Sequence, residues 1–344
     1  MNPGITEAGI PQAGKRWRLR RLADADGFFS MVAIDQRPPI FATLAQALGV
    51  PADQVPFSEI GVAKRTLAQA FAPVCSAMLV DPNWAYPAVA DVLNPAAGLL
   101  LTLEDHRTTP DRRSQVIADW SVDKIRALGG DAVKLLAWYH PGADRAVRAH
   151  QEAFVQQVGE DCARCELPFV LELLLYPLQS DNAAAYLEDE AKHAEDVLCS
   201  VEHFAHRRYQ VDLFKLESPL PAPRVPARDA PGALACTRAF EALHTACGGR
   251  PWVMLSAGAQ AEAFERVVGY AARAGAAGFL AGRALWSDGL ALWPDREAVA
   301  AHLATTGRAR LATLRSLMKT EGRPWQPAPW APVANEEGDF ARQR

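Results

Sequence analysis

The sequence predicts one α/β domain built as a closed (β/α)8 barrel, the TIM-barrel architecture. Three observations predict it. Eight short apolar runs rich in Val, Ile, Leu and Phe recur along the chain, each too brief for a helix. Longer amphipathic stretches separate them. The 344 residues accommodate the roughly 250 that such a barrel needs, with material left at both ends. Strands alternating with helices imply parallel pairing, because each crossover needs a helix-length connection. Eight units point to closure, with an open doubly wound sheet as the alternative.

The predicted strands are Phe28–Ile34, Ala77–Val80, Gly98–Leu103, Ala132–Trp138, Phe169–Leu175, Val211–Leu216, Trp252–Leu255 and Gly278–Leu280. After the first, Ile60, Ala63, Leu67, Ala70 and Phe71 fall on one helical face, with Ser58 as its N-cap. After the seventh, Phe264, Val267, Val268 and Ala271 repeat the pattern. Residues 1–22 form an N-terminal arm, 23–321 the barrel, and 322–344 a Pro- and Trp-containing tail, extended and partly disordered. The basic run from Lys15 to Arg21 reads as a solvated helix face.

Composition excludes several function classes. Hydrophobic residues are 49% and charged residues 22% of the chain, as in an ordinary globular protein. A net charge of −4 argues against nucleic acid or an anionic membrane as partner. No apolar run is long enough to span a membrane, and the first residues lack the pattern of a secretory signal. Six scattered cysteines then read as free thiols of a cytoplasmic protein. Cys162-Ala-Arg-Cys165 lacks the second ligand pair of a structural zinc site.

In such barrels chemistry sits at the C-terminal ends of the strands. Most of these runs should be free of charge, since unpaired charge in a barrel is costly. Yet Lys134 lies in the fourth, Glu172 in the fifth and Lys215 in the sixth, while Asp35 follows the first and Glu104 the third. A structural salt-bridge cluster is the bland reading, but buried ion pairs rarely stabilise in net terms. An amine attacks a carbonyl only when unprotonated, and free lysine has a pKa near ~10.4. Burial and a second ammonium both lower that value. Two lysines with a carboxylate therefore suit iminium chemistry: one is the nucleophile, the other biases protonation, and the carboxylate moves protons.

A second feature points to phosphate. Leu255-Ser256-Ala257-Gly258 ends the seventh strand and Ala281-Gly282-Arg283 the eighth, each opening a helix. Glycines allow close backbone approach, helix N-termini offer N–H groups, and Arg283 adds a forked donor. Of eight histidines, only His106 and His140 closely follow strands, while His203 and His206 lie in a predicted helix. No three-ligand zinc site is assembled, so neither metal nor other cofactor is expected.

The chain resembles the class I tagatose 1,6-bisphosphate aldolases and the related sulfofructose-phosphate aldolases. The resemblance runs from Phe28 to Trp286, on Ala33-Ile34-Asp35-Gln36-Arg37, Leu79-Val80-Asp81-Pro82, Gly98–Leu101, Ala132–Leu136, Pro168–Glu172, Val211–Glu217, Leu255–Gly258 and Gly282–Trp286. It implies a metal-independent lyase that reversibly cleaves a 1-phosphorylated ketohexose to dihydroxyacetone phosphate and a three-carbon aldehyde such as glyceraldehyde 3-phosphate. Lys215 would form the Schiff base, with Glu172 as acid/base and Lys134 as its cationic neighbour. Asp35, Gln36, Arg37 and Glu104 would bind the substrate, and Ser256, Ala257, Gly258, Gly282 and Arg283 its C1 phosphate. A homo-oligomer is implied as well. The chain departs from the family at Pro38-Pro39 and after Glu104, in the loops facing the far end of the substrate, which leaves the C6 substituent open. Sulfofructose 1-phosphate or a deoxy-keto-gluconate phosphate are alternative substrates. A non-catalytic sugar-phosphate sensor is the alternative outside catalysis, and the intact lysines and glutamate argue against it.

Overall fold

The computed structural model describes residues 13–107, 109–178 and 190–327, with side chains from residue 193 onward in the last segment. Eight parallel strands close in chain order: β1 (Phe29–Ala33), β2 (Ala77–Val80), β3 (Gly98–Thr102), β4 (Ala132–Trp138), β5 (Phe169–Leu174), β6 (Leu213–Leu216), β7 (Trp252–Leu255) and β8 (Gly278–Ala281). β8 pairs back onto β1 through Met31 and Leu280, so the sheet has no free edge. The open-sheet alternative is thereby overturned. β6 begins at Leu213 rather than Val211, because Asp212 turns its carboxylate onto the Phe169 N–H at 2.8 Å.

Alternation along each strand builds two apolar layers. Ala132, Val170, Leu213 and Val253 face the barrel interior with Met31 and Leu280. Val133, Leu171, Phe214 and Met254 face the surrounding helices. A side-chain period of two therefore aims Lys134, Glu172 and Lys215 inward, one layer above Ala132, Val170 and Leu213. The same count sends Asp35 and Glu104 inward past the ends of β1 and β3.

The helix Phe57–Phe71 buries Ile60, Ala63, Leu67, Ala70 and Phe71 as the pattern requires. Its N-cap is Pro56 and not Ser58, because the Pro56 carbonyl accepts the N–H groups of Glu59 and Ile60. The basic run is not a solvated face. It belongs to the helix Ala13–Leu22, which crosses the N-terminal end of the barrel. Lys15 Nζ lies 2.8 Å from Asp212 and Arg21 Nε 2.7 Å from Asp131. Leu22 packs on the inner layer, and Trp325 lies tilted against Phe29 at 5.5 Å between ring centroids. A Cβ at Gly98 would meet Arg21 O and Leu22 Cδ2 at 2.7 Å, so glycine is what lets this helix dock. The tail beyond residue 327 lies outside the described residues. Among the described residues no helix is long and apolar enough to cross a membrane.

Candidate active site

At the other end of the barrel the inward polar layer meets a cavity of about 260 Å3. All the residues singled out from sequence line it except two glycines, Gly258 and Gly282. Strand register explains the convergence. Glu172 pairs across the ladder with Lys215, and Leu136 with Glu172. Lys215 Nζ stands 2.9 Å from Glu172 Oε2, and Lys134 Nζ stands 2.8 Å from the same oxygen. Lys134 also reaches Glu104 Oε1 at 2.7 Å and Asp35 Oδ2 at 3.2 Å. Glu104 is oriented by the Leu136 N–H, which donates to its Oε2 at 3.0 Å.

The cluster is close to charge-balanced: Asp35, Glu104 and Glu172 against Lys134, Lys215 and Arg37, all buried. Burial alone would raise the Asp35 carboxyl, but Lys134, Lys215 and Arg37 outweigh it and hold Asp35 at about 2. Burial opposes the Lys134 charge, yet Asp35, Glu104 and Glu172 raise its proton affinity well above that of a free lysine. Burial favours neutral Glu172, and the Lys134 and Lys215 charges hold it below the usual carboxylate range instead. Glu172 is thus a carboxylate and Lys134 a permanent ammonium. Together they can accept a proton and stabilise a developing oxyanion beside the second amine.

The loops after β7 and β8 form one wall. Ala257 and Gly258 take left-handed backbone, φ 44° and 83°, in a turn closed by the Ala259 N–H on Ser256 O at 2.7 Å. Consequently the next helix, Ala261–Ala274, begins three residues past Gly258 rather than at it. A Cβ on Gly258 would meet the Arg283 guanidinium at 2.7 Å, and one on Gly282 would meet Gln36 Nε2 at 2.6 Å. The second helix, Arg283–Leu290, does start where expected, with Gly282 as N-cap. Arg283, Ser256 and the N-terminus of that helix offer donors to an anion.

On the opposite wall Arg37 NH2 donates to Glu104 O at 3.2 Å, while Arg37 NH1 and Gln36 Oε1 are buried without a hydrogen-bond partner among the described residues. His106, flanked by Trp84 and Phe41, closes this side. Sequence reasoning missed Lys64, which is fully buried and bonds Ile34 O, Gln36 O and Asp81 at 2.7, 2.9 and 2.6 Å. It fixes the backbone that carries Asp35 and Gln36. Its signal was present, since Lys64 follows Ile60 by four residues on the apolar stripe. Trp138 and Ser114 also line the cavity and carried no sequence signal.

A closed (β/α)8 barrel with buried lysines and carboxylates at its C-terminal mouth is an enzyme scaffold. The family model described as DeoC/LacD family aldolase matches residues 29–288, and the chain belongs to that family. It is therefore a carbon–carbon lyase. A tagatose 1,6-diphosphate aldolase 2 of Enterococcus faecalis is 32% identical over 325 residues, covering 91% of this chain and 96% of that one. A tagatose 1,6-diphosphate aldolase of Listeria monocytogenes is 29% identical, covering 91% and 94%. An archaeal fructose-1,6-bisphosphate aldolase, solved with its catalytic lysine covalently bound to the carbinolamine intermediate, superposes with TM-score 0.56 at 16% identity over 88% of this chain and 99% of its own. A fructose-bisphosphate aldolase from Plasmodium falciparum gives 0.59 at 13% identity over 93% and 98%. At these identities the two structures bear on the fold alone.

Proposed function

We propose that the protein is a Schiff-base aldolase that reversibly cleaves a 1-phosphorylated ketohexose, with tagatose 1,6-bisphosphate as the reference substrate, to dihydroxyacetone phosphate and a three-carbon aldehyde. One observation carries the reading: a single Glu172 oxygen lies within 2.9 Å of both lysine nitrogens, beside a cavity walled by the Ser256 and Arg283 loops. The names of the relatives at 29–32% identity support the substrate class.

Lys215, as the free amine, attacks C2 of the ketose. The carbinolamine loses water to an iminium, with Glu172 passing the protons. Glu172 then takes the C4 hydroxyl proton as the C3–C4 bond breaks, and that bond pair flows through C2 onto the imine nitrogen. The aldehyde leaves, the enamine is protonated at C3, and water releases dihydroxyacetone phosphate. Lys134 keeps Glu172 ionised between turnovers and stabilises oxygen charge. Asp35, Gln36, Arg37 and Glu104 hold the substrate's polar groups. Ser256, Ala257, Gly258, Gly282 and Arg283 hold its C1 phosphate.

Incubation with dihydroxyacetone phosphate followed by borohydride reduction should leave one adduct, mapped by mass spectrometry to Lys215. No adduct, together with activity abolished by a chelator, would overturn the scheme. The six free thiols support a cytoplasmic setting. Symmetric self-assembly is the general habit of such enzymes; a homo-oligomer should elute above the monomer mass in size exclusion.

A further inference from the structure

The backbone ladder between β5 and β6 ends at the Leu173–Leu216 pair. Beyond it a side chain continues the ladder, because the Leu175 N–H donates to Glu217 Oε1 at 2.6 Å. Leu175 is three residues past Glu172 and Glu217 two past Lys215, so this bond joins the two strand ends that carry the imine pair. Glu217 also lines a cavity of about 160 Å3 together with Ser256 and Ala257 of the loop after β7. The proposed scheme gives Glu217 no role.

We propose that Glu217 is a positioning residue of the lysine–glutamate site: its carboxyl clasps the C-terminal ends of β5 and β6 and thereby holds Glu172 against Lys215. The inference rests on the imine reading of Lys215. A glutamate that merely satisfied a strand-end N–H would do so in any ionisation state, and here the surroundings select one. Burial raises the Glu217 carboxyl, the Leu175 N–H pulls the other way, and the Glu172 charge adds to the rise, leaving it at about 8. The other titratable groups around it are Tyr139 after β4, His193 on the helix Glu190–Phe204 and Lys215 on its own strand. Among the described residues no cation lies in an ion pair with it. At neutral pH it is a neutral acid that clasps without repelling Glu172. Above about pH 8 it becomes an anion with a single donor beside a second anion. A partly buried charge so placed turns toward water, and the clasp opens.

The test is the pH dependence of kcat between about 6 and 10 for wild type, E217Q and E217A, cleaving tagatose 1,6-bisphosphate. Wild-type kcat should fall with an apparent pKa near 8. The amide of E217Q still accepts the Leu175 N–H but cannot ionise, so it should keep most of the rate and hold it past that pH. E217A should lose kcat roughly tenfold at neutral pH with little change in KM, as expected of a misplaced proton-transfer group. An alkaline limb in E217Q matching wild type, or full kcat in E217A, overturns the clasp. If E217A does not fold, the E217Q profile decides alone. Borohydride trapping on wild type separates the two ideas: no Lys215 adduct defeats the imine reading, whereas an adduct with an unchanged E217Q profile defeats only the clasp.

Discussion

The two ends of the barrel handle buried charge in opposite ways. At the N-terminal end the ion pairs of Asp212 and Asp131 are private, and each of these carboxylates does a second structural task. Asp212 pairs with Lys15 and accepts the Phe169 N–H, and Asp131 pairs with Arg21 and accepts the Leu99 N–H. Leu22 and Trp325 cover what remains. At the C-terminal end the charges are shared. Lys134 serves three carboxylates and Glu172 two ammonium groups, with Arg37 NH1 and Gln36 Oε1 unpartnered among the described residues around an open cavity. Private, fully satisfied pairs close a barrel. Shared pairs with spare capacity leave groups that can change partners when a substrate enters, which is what proton transfer requires.

That contrast can be broken at several points. The largest effect should come from K215M. If the nucleophile is at the shared end, turnover should drop by at least about 10⁴-fold while the melting temperature barely moves, because Glu172 keeps Lys134. Residual turnover near wild type would remove Lys215 from the mechanism. K134M should cost both activity and stability. It takes the shared ammonium from three carboxylates, of which Glu172 keeps Lys215 and Glu104 keeps Arg37 while Asp35 loses its ion pair, and breaking a buried pair costs about 3–5 kcal/mol, readable as a lowered denaturant midpoint. R283A should act on substrate alone, raising KM for the phosphorylated ketose roughly 10- to 100-fold, the worth of a charge-assisted contact, with unchanged unfolding. A smaller effect on the opposite property is expected of D131A at the closed end. It strands the Leu99 N–H and should cost about 1–3 kcal/mol of stability with kcat/KM intact; lost activity there would mean that the two ends are not separate.

The smallest effect is a matter of pH. Asp35 is held at about 2 against an ordinary 3.8, so its folded-state pKa is depressed. The stability it contributes, about 2 kcal/mol, is fully present above pH 4 and is lost as pH falls toward 2. Denaturant midpoints measured across that window should slope for wild type and flatten for D35N.

Much of this contrast was legible in the sequence, and unevenly so. Strand β4 was found at its true bounds because an apolar run with one lysine has few other readings, and the same period of two turned Lys134, Glu172 and Lys215 to one side. The closed end was misread. Lys15 and Arg21 look like a solvated face until Asp212 and Asp131, 197 and 110 residues away, are brought beneath them. The turn after β7 was misjudged by three residues, since the left-handed Ala257 has no local signature, whereas Gly258 does.

Local pattern by itself therefore determined the barrel, its inward-facing charges and the loops that could hold a phosphate, because period and composition act over a few residues. Tertiary structure alone decided which oxygen two lysines share, that Lys64 braces the Asp35 backbone and that Glu217 reaches the end of β5. Those facts depend on strand register and barrel closure, which join residues far apart in the chain at distances of about 3 Å, the length of a hydrogen bond.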